Sequence, residues 1–499
     1  MTDRVLAMSI NFIPNDPSAG SAAPAIRVQA KHANRPAARA DFTLSSTSTE
    51  RVAAPGTAPF LFWQCREAAM TALDAWEAVA GNFTRWQGNR RALALRQDAG
   101  VDLNAYYDRS SFSFFHQAIN GTTYYSGAST DVVAHEVGHG LLDATRPELW
   151  DAVFLETGAF HEAFGDCMAI LTALSDRDSR VRLLAATATL KKQNFVEATA
   201  ENLSEAIRLL APNHNAAEPR HAFNTFKFQL PETLPTTGGP GALINEVHSF
   251  GMIFSGCFYD LIALIFASQP TKTEATLLAS ARTAGALLVA AARTALITPR
   301  FFQSVGRAMT LADEERNAGR NRDAIRAAFQ QHDIMLGSNA LLAPVAVLEG
   351  APADGPTAAL KPATRRDLAR RLRAGPRDRL TLGRAEVGGR EIRCVFHHRR
   401  VSLAGIHRRL RGVSAVATVP VLVGESGGRP AILGELPEPT ATEREVHAFV
   451  QSLVDNGQIE IDNTATGSVD DSRIPRVTHR VRTAGGQKTL RRIRFHGCS

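Results

Sequence analysis

The stretch that most constrains this chain is STDVVAHEVGHGLLDA, residues 129–144. A helix over these residues carries His135, Glu136 and His139 among Val132, Val133, Val137, Leu141 and Leu142. Ionisable groups in so apolar a helix must be paired or bound to a metal. The spacing suits a metal: His135 and His139 are four residues apart, so both imidazoles leave one face and can hold the same ion. Glu136 falls one residue along, turned towards the substrate side, where it can take a proton from a water held by the metal. Ser129, Thr130 and Asp131 offer N-cap and first-turn chemistry, and Asp131 suits the positive end of a helix.

A catalytic zinc takes three protein ligands and keeps one open position for water. The third ligand should come from another element, and GAFHEAFGDCMAILTAL supplies it: Glu162 lies 23 residues after His139 on a second helix. Asp166, one turn beyond on the same face, is placed to hydrogen-bond a ligating histidine. Both acids sit among Phe160, Ala163, Phe164, Met168 and Ile170, where a merely solvated carboxylate is the weaker reading.

The segments DVVAHEVGHGLLD and GAFHEAFGD resemble the zinc helix and the third-ligand helix of the thermolysin-like, or gluzincin, metallopeptidases. The resemblance implies one Zn2+ per chain held by His135, His139 and Glu162, with Glu136 as catalytic base and Asp166 supporting the ligands from behind. LNAYYD is similar to the family's edge strand for substrate backbone, which implies that role for Asn104 and Ala105. NEVHSFGMIFSGCFYDL is similar to the helix opening that carries the family's transition-state histidine, here His248. Arg220, 28 residues earlier, stands where the family has an arginine that holds the substrate carbonyl. The similarity spans roughly Phe60 to Leu336 and implies an α+β, two-lobed fold: a β-containing lobe, then a helical lobe, with zinc between them.

The departures from that pattern are specific. Trp150 occupies the place of a family tyrosine, eleven residues after the second zinc histidine. Leu243 stands where the family has the acid that orients its histidine, which leaves Glu246 or Asn245 as available substitutes. His161 replaces the asparagine that usually precedes the third ligand. The family's acidic calcium-site residues are mostly missing after Glu162 while Asp131 remains, so Ca2+ stays open.

A chain of 499 residues is expected to form about two to four domains. Its 44% hydrophobic and 21% charged residues are ordinary for a soluble globular protein. Cys65, Cys167, Cys257, Cys394 and Cys498 form no CxxC pair or disulfide-like framework, and Cys167 and Cys257 read as small core residues. MTDRVLAMSINFIPNDPSAG makes a poor secretory signal, and GMIFSGCFYDLIALIFAS, interrupted by Asp260, suits a core helix better than a membrane span. The expected setting is therefore cytoplasmic, with export by a route lacking a cleaved signal as the alternative. The net charge of +7 is uneven: from Lys361 onward there are 26 Lys+Arg against 14 Asp+Glu, so that part carries +12 and the rest −5. Such a basic block can attract an anionic partner, although solvated faces are commoner.

Residues 1–59, rich in Ala, Ser, Pro and Thr with strand-like AIRVQA and DFTL, are expected to form an extended or partly disordered arm. The peptidase-like part is expected at 60–345. There Ala69, Leu73, Trp76, Ala80 and Phe83 mark an amphipathic helix, and residues 91–127 alternate β-prone runs with turns. An open strand in that region could take an extended peptide along a sheet edge. LLAATATLKK, SEAIRLLA and three longer runs between 274 and 335 are expected to be helical. A Pro/Ala/Gly linker is expected over 346–364, followed by a smaller basic α+β domain of unassigned role at 365–499. Its expected strands are REIRCVFHHRRVSLAG and AVATVPVLVG, with THRVRT and KTLRRIRF as a hairpin around AGGQ. ATEREVHAFVQSLVDNG is expected to be a helix with Thr442 and Glu445 in capping-box positions, and His397 and His398 to be exposed basic surface.

Together these features lead to a zinc-dependent endopeptidase acting on a peptide or protein substrate, with Glu136 as general base. An aminopeptidase of the other gluzincin branch would need a GxMEN-type segment, which is missing. A peptidase-like scaffold that binds peptides with weak or no cleavage is the alternative outside efficient enzymes.

Overall fold

The computed structural model describes residues 9–337, 362–387, 390–426, 429–433, 439–460 and 477–496, and the fold is α+β. The N-terminal arm is tied down at a few points. β1 (Ser9–Phe12) pairs antiparallel with β2 (Arg27–Ala30), burying Ile10 and Phe12. The Gln64 side chain accepts from the Ile13 amide at 2.8 Å and donates to its carbonyl at 3.1 Å. β3 (Asp41–Leu44) joins a sheet formed mostly by later residues. Composition averaged over the arm conceals these anchors.

The first long helix, α1 (Ala58–Ala80), starts with Pro59 in its first turn, where a missing N–H costs nothing, and stops at Gly81, whose φ is +80°. Leu73 and Trp76 are buried on it. Phe83, expected to continue the stripe, lies past the glycine break and packs edge-on against Trp76 and Trp86. β4 (Ala92–Arg96), β5 (Ala105–Tyr107) and β6 (Ser111–Phe114) follow, then the hairpin β7 (His116–Ile119) and β8 (Thr122–Tyr125). Asn120 and Gly121 turn that hairpin, both at positive φ, the geometry of a two-residue turn matched to strand twist.

The helices carry most of the core. α2 (Thr130–Thr145) and α3 (Leu155–Ser175) cross with glycine against glycine: a Cβ on Gly138 would meet Gly165 Cα at 3.0 Å. α4 (Arg177–Ala186) ends before the second half of LLAATATLKK, where Leu190 takes φ +58°, so that expected helix is half as long. β9 (Ala198–Thr199) pairs with β10 (Arg220–His221) around α5 (Glu201–Leu210). Then come α6 (Val247–Ser268), α7 (Glu274–Thr294), α8 (Phe301–Asn317) and α9 (Arg322–Gln331). α6 and α7 are long and apolar enough to cross a membrane, yet Phe250, Phe254, Ile262, Leu287 and Leu288 on them are buried in the protein core.

The C-terminal part begins in the described residues with α10 (Pro362–Arg371), so the expected linker at 346–364 falls almost wholly outside them. A sheet is built from β11 (Arg379–Val387), β12 (Arg390–Ser402), β13 (Val413–Ser426), β14 (Arg429–Leu433), β15 (Ile459–Glu460), β16 (His479–Ala484) and β17 (Gln487–Arg492). The order is β11-β12-β13-β17-β16-β15, with β14 beside β13, and α11 (Pro439–Asp455) contacts β13. Two expectations fail here. α11 already begins at Pro439, so Thr442 and Glu445 lie inside it; the buried Glu445 pairs with Arg300, which also donates to Glu156 at 2.9 Å. His397 is buried, its Nε2 2.9 Å from Asp378 Oδ2, because alternation along β12 turns it inward.

KTLRRIRF was expected as one strand, but β17 ends at Arg492. The chain leaves that sheet, and β18 (Phe495–His496) pairs with β5 in the other one, whose order is β18-β5-β6-β4-β3. Val401, Val413, Phe449, Leu453, Leu490 and Phe495 accordingly belong to the same hydrophobic core as α2, α3 and α6. A separate small cluster joins Leu368, Leu372, Leu380, Val395 and Val421 at the outer side of the C-terminal sheet.

Candidate metal centre and peptide cleft

α2 presents the candidate ligands because its amino end is firmly held. Ser129 caps it, its oxygen accepting from the Val132 amide at 3.4 Å, and Gln64 donates to Thr130 Oγ1 at 3.0 Å. His135 and His139 therefore project one turn apart towards α3, where Glu162 meets both: its Oε2 lies 3.3 Å from His135 Nε2 and 3.5 Å from His139 Nε2. Gly165 makes room for this, since a Cβ there would come within 2.5 Å of the His135 ring. All three side chains are buried. His135 Nε2, His139 Nε2, both oxygens of Glu162 and both oxygens of Glu136 have no hydrogen-bond partner.

The outward-facing ring nitrogens are fixed. His135 Nδ1 donates to Asp166 Oδ1 at 2.9 Å, which leaves the Nε2 lone pair facing Glu162. Arg220 donates to the same Asp166 oxygen at 2.8 Å and reaches His135 Nδ1 at 3.3 Å, so its guanidinium lies behind the cluster. His139 Nδ1 lies 3.0 Å from His161 Nδ1. One of the two must donate; with His139 Nε2 aimed into the cluster, its Nδ1–H is the donor. Burial pushes His139 down to about 4 and His161 well below its usual value, so both rings stay neutral.

Glu136 is fully buried beside the cluster, and burial pushes its carboxyl up to about 8. Glu162 moves the other way: burial alone would raise it, but His248 and His139 hold it well below the usual carboxylate range. His248 stands at the start of α6, with Nδ1 2.8 Å from Glu246 Oε1 and Nε2 3.2 Å from Glu162 Oε2. Burial opposes its charge, yet Glu162 and Glu246 outweigh that and push it up to about 9. Leu243 thus has its substitute in Glu246, which also caps α6 by accepting from the His248 and Ser249 amides.

The strand expected at a sheet edge is close by, but it is flanked on both sides. Ala105 is buried in β5, and its amide donates to the Asn104 side-chain oxygen at 2.8 Å. β6 takes one side of β5, and the chain's own β18 takes the other, with Phe495 opposite Tyr107 and His496 opposite Tyr106. Asn104 Nδ2 donates to His496 Nδ1 at 2.7 Å, and His248 Nε2 donates to the His496 carbonyl at 2.6 Å. Trp150 Nε1 donates to the Arg492 carbonyl at 3.2 Å. Sequence reasoning did not place Arg492, Phe495 and His496 here, because nothing in a basic strand pattern reveals which sheet its last residues join.

A second acidic group lies at the amino end of α2. Carboxylate oxygens of Asp16, Asp131 and Glu201 lie within 4.8 Å of one another. Asp16 Oδ2 and Glu201 Oε2 are buried without a hydrogen-bond partner; burial raises all three carboxyls, and repulsion from Asp131 adds to it at Asp16 and Glu201. Asp16 comes from the arm and Glu201 from α5, so local spacing around Asp131 could not have signalled them.

Chemically, the His135–His139–Glu162 set offers two imidazole nitrogens and one carboxylate to a borderline cation, with Glu136 and His248 on either side. Compared with protein-family models and with curated proteins, the chain matches none.

Proposed function

We propose that this chain is a zinc-dependent metalloendopeptidase of thermolysin-like, two-lobed build. The observation that carries the reading is the convergence of His135 Nε2, His139 Nε2 and the Glu162 carboxylate, all buried and all lacking a hydrogen-bond partner. Each such orphan costs about 1–3 kcal/mol unless something meets it, and N, N, O ligation by a tetrahedral cation meets all of them. Bound there, zinc supplies Lewis-acid polarisation of a peptide carbonyl and an acidified water.

The chain's own residues do the rest. Glu136, with its raised pKa, takes the proton of the attacking water on a carboxylate oxygen and returns it to the leaving amine. His248, doubly protonated because Glu246 faces Nδ1 and Glu162 faces Nε2, donates from Nε2 to the oxygen that gains charge. A donor of this kind contributes roughly 3 kcal/mol. Asp166, itself held by Arg220, keeps His135 in the tautomer that frees Nε2. β5 aligns the extended substrate through its main chain, with Asn104 at its end. For the second cluster we propose Ca2+, since three crowded buried carboxylates suit a hard cation with oxygen ligands.

The test is zinc content followed by cleavage. The purified chain should hold one zinc, and Glu136→Gln should retain it while losing hydrolysis of an internally quenched peptide with a blocked amino terminus. A chain that takes up no zinc is not this enzyme. One observation favours the second reading, a scaffold that binds peptides without cutting them: β18 already lies along β5. A zinc-loaded chain that binds peptides and cuts none would establish that alternative.

A further inference from the structure

The last residues of the described chain lie along β5 as an extended peptide would. Phe495 and His496 are each 1% exposed, although they sit near the end of a basic hairpin. Their main chain adds to the free edge of β5 in antiparallel register. The His496 carbonyl points at His248 Nε2, 2.6 Å away, and that same nitrogen is 3.2 Å from Glu162. A backbone carbonyl is thus held by His248 at the edge of the candidate ligand cluster.

The side chains are matched as closely as the backbone. The Phe495 ring stacks on His161 at 3.9 Å and 20°, and on the ligand His139 at 5.0 Å and 22°. Trp150 meets it edge-on at 5.3 Å, and the Arg492 guanidinium covers it at 4.0 Å. Trp150 and Arg492 also exchange hydrogen bonds, Trp150 Nε1 to the Arg492 carbonyl and Arg492 Nε to the Trp150 carbonyl, both at 3.2 Å. Arg494 lies over the Tyr106 ring at 4.8 Å, and Arg491 reaches Asp151 at 3.1 Å. A loop that merely covered the surface would not engage His248, His139, His161, Trp150 and Asn104 together.

We propose that Arg492–His496 is a built-in occupant of the peptide cleft, which keeps the chain self-inhibited, and that the ligands admitted in its place are extended peptides with a basic residue three positions before an aromatic one. The pocket formed by His139, His161 and Trp150 selects the aromatic ring by stacking, and the Trp150 carbonyl, which accepts from Arg492 Nε at 3.2 Å, favours a basic residue three positions before it. Because the occupant is tethered, its effective concentration stands far above that of a free competitor, so the cleft opens only when the tail is weakened. The inhibitory consequence rests on the peptidase reading; the occupancy itself does not.

The experiment uses the full chain, Phe495→Ala, and Phe495→Tyr as the conservative control, each first checked for zinc content and thermal midpoint. Two readouts are taken: binding of a fluorescent, amidated Arg-Arg-Ile-Arg-Phe-His peptide, and cleavage of a quenched peptide with the same core. The expected result is that Phe495→Ala binds the labelled peptide at least tenfold more tightly than the wild type and cuts at least tenfold faster, with Phe495→Tyr near wild type. Hydrogen exchange over Ala105–Tyr107 should also quicken in Phe495→Ala. If Phe495→Ala binds the peptide but no variant cuts, the occupancy stands and the peptidase reading falls. If all variants cut at one rate and the labelled peptide binds none of them, the peptidase reading stands and the occupancy is overturned. Should Phe495→Ala fold poorly, Arg492→Ala repeats the test from the other face of the ring, with the same outcomes deciding.

Discussion

One helix carries two clusters of candidate ligating groups that are built on opposite principles. At its amino end Asp131 meets Asp16 and Glu201, three acids that repel one another. One turn further on, His135 and His139 meet Glu162, an acid between two bases, with Asp166 and Arg220 completing an alternation of charge behind them. In the second set, attraction from His248 and His139 opposes the effect of burial at Glu162. The first has repulsion added to desolvation and depends on a cation or on protons for its stability.

The largest effect that would break this contrast is chemical. In a Phe495→Ala background, Glu136→Gln should lower the rate of peptide cleavage by at least about a hundredfold, the low end for losing a general base, with zinc content unchanged by elemental analysis. Next comes the support of the coherent cluster: Asp166→Asn should weaken zinc retention by about 10–100-fold in a chelator competition, because His135 Nδ1 loses its carboxylate partner. A smaller effect sharpens the like-charged side. Adding Ca2+ at about a hundred times its Kd should raise the melting midpoint by about 3–5 °C, and Asp16→Asn should abolish that increment while leaving zinc in place. Equal loss of zinc in that variant would show the clusters to be one unit.

The smallest effect concerns the arm that delivers Asp16. His32 Nδ1 lies 2.6 Å from Glu67 and Nε2 lies 3.5 Å from Asp74, and these partners push its pKa up to about 9. A raised folded pKa stabilises the native chain fully below the unfolded value near 6.5, and that contribution disappears as pH rises through about 9. His32→Gln should therefore cost on the order of 1–2 kcal/mol at pH 6, after discounting for its partial exposure, and almost nothing at pH 10. Chemical denaturation at the two pH values measures it, and an equal loss at both would show that packing rather than charge holds the arm.

Much of the zinc-site proposal could be read along the chain because its logic is local. Two histidines four apart, and an acid followed by another one turn later, are properties of single helices, and α2 and α3 form where the apolar periodicity places them. Elements with strong helical patterns, such as α7 to α9, were legible for the same reason. What brings Glu162 within 3.5 Å of both histidines is a glycine contact between two helices, which no single-helix pattern contains. The C-terminal part is a related case: a basic, strand-forming segment reads as its own module, and where its apolar residues go, some such as Phe449 and Phe495 into the larger core and others into a separate cluster, is not written in that pattern.

The amino-acid sequence by itself determined which residue types could ligate a metal and the helical spacing that sets them on one face. Only the tertiary structure decided what meets them. It brought Asp16 from the arm and Glu201 from α5 to Asp131, put Glu246 rather than Asn245 beside His248, and turned Phe495 and His496 out of one sheet onto the edge of another. Contacts between residues as far apart as Asn104 and His496 depend on where whole elements pack, and burial of shared apolar surface, being non-directional, sets that packing without leaving a periodic trace in the chain.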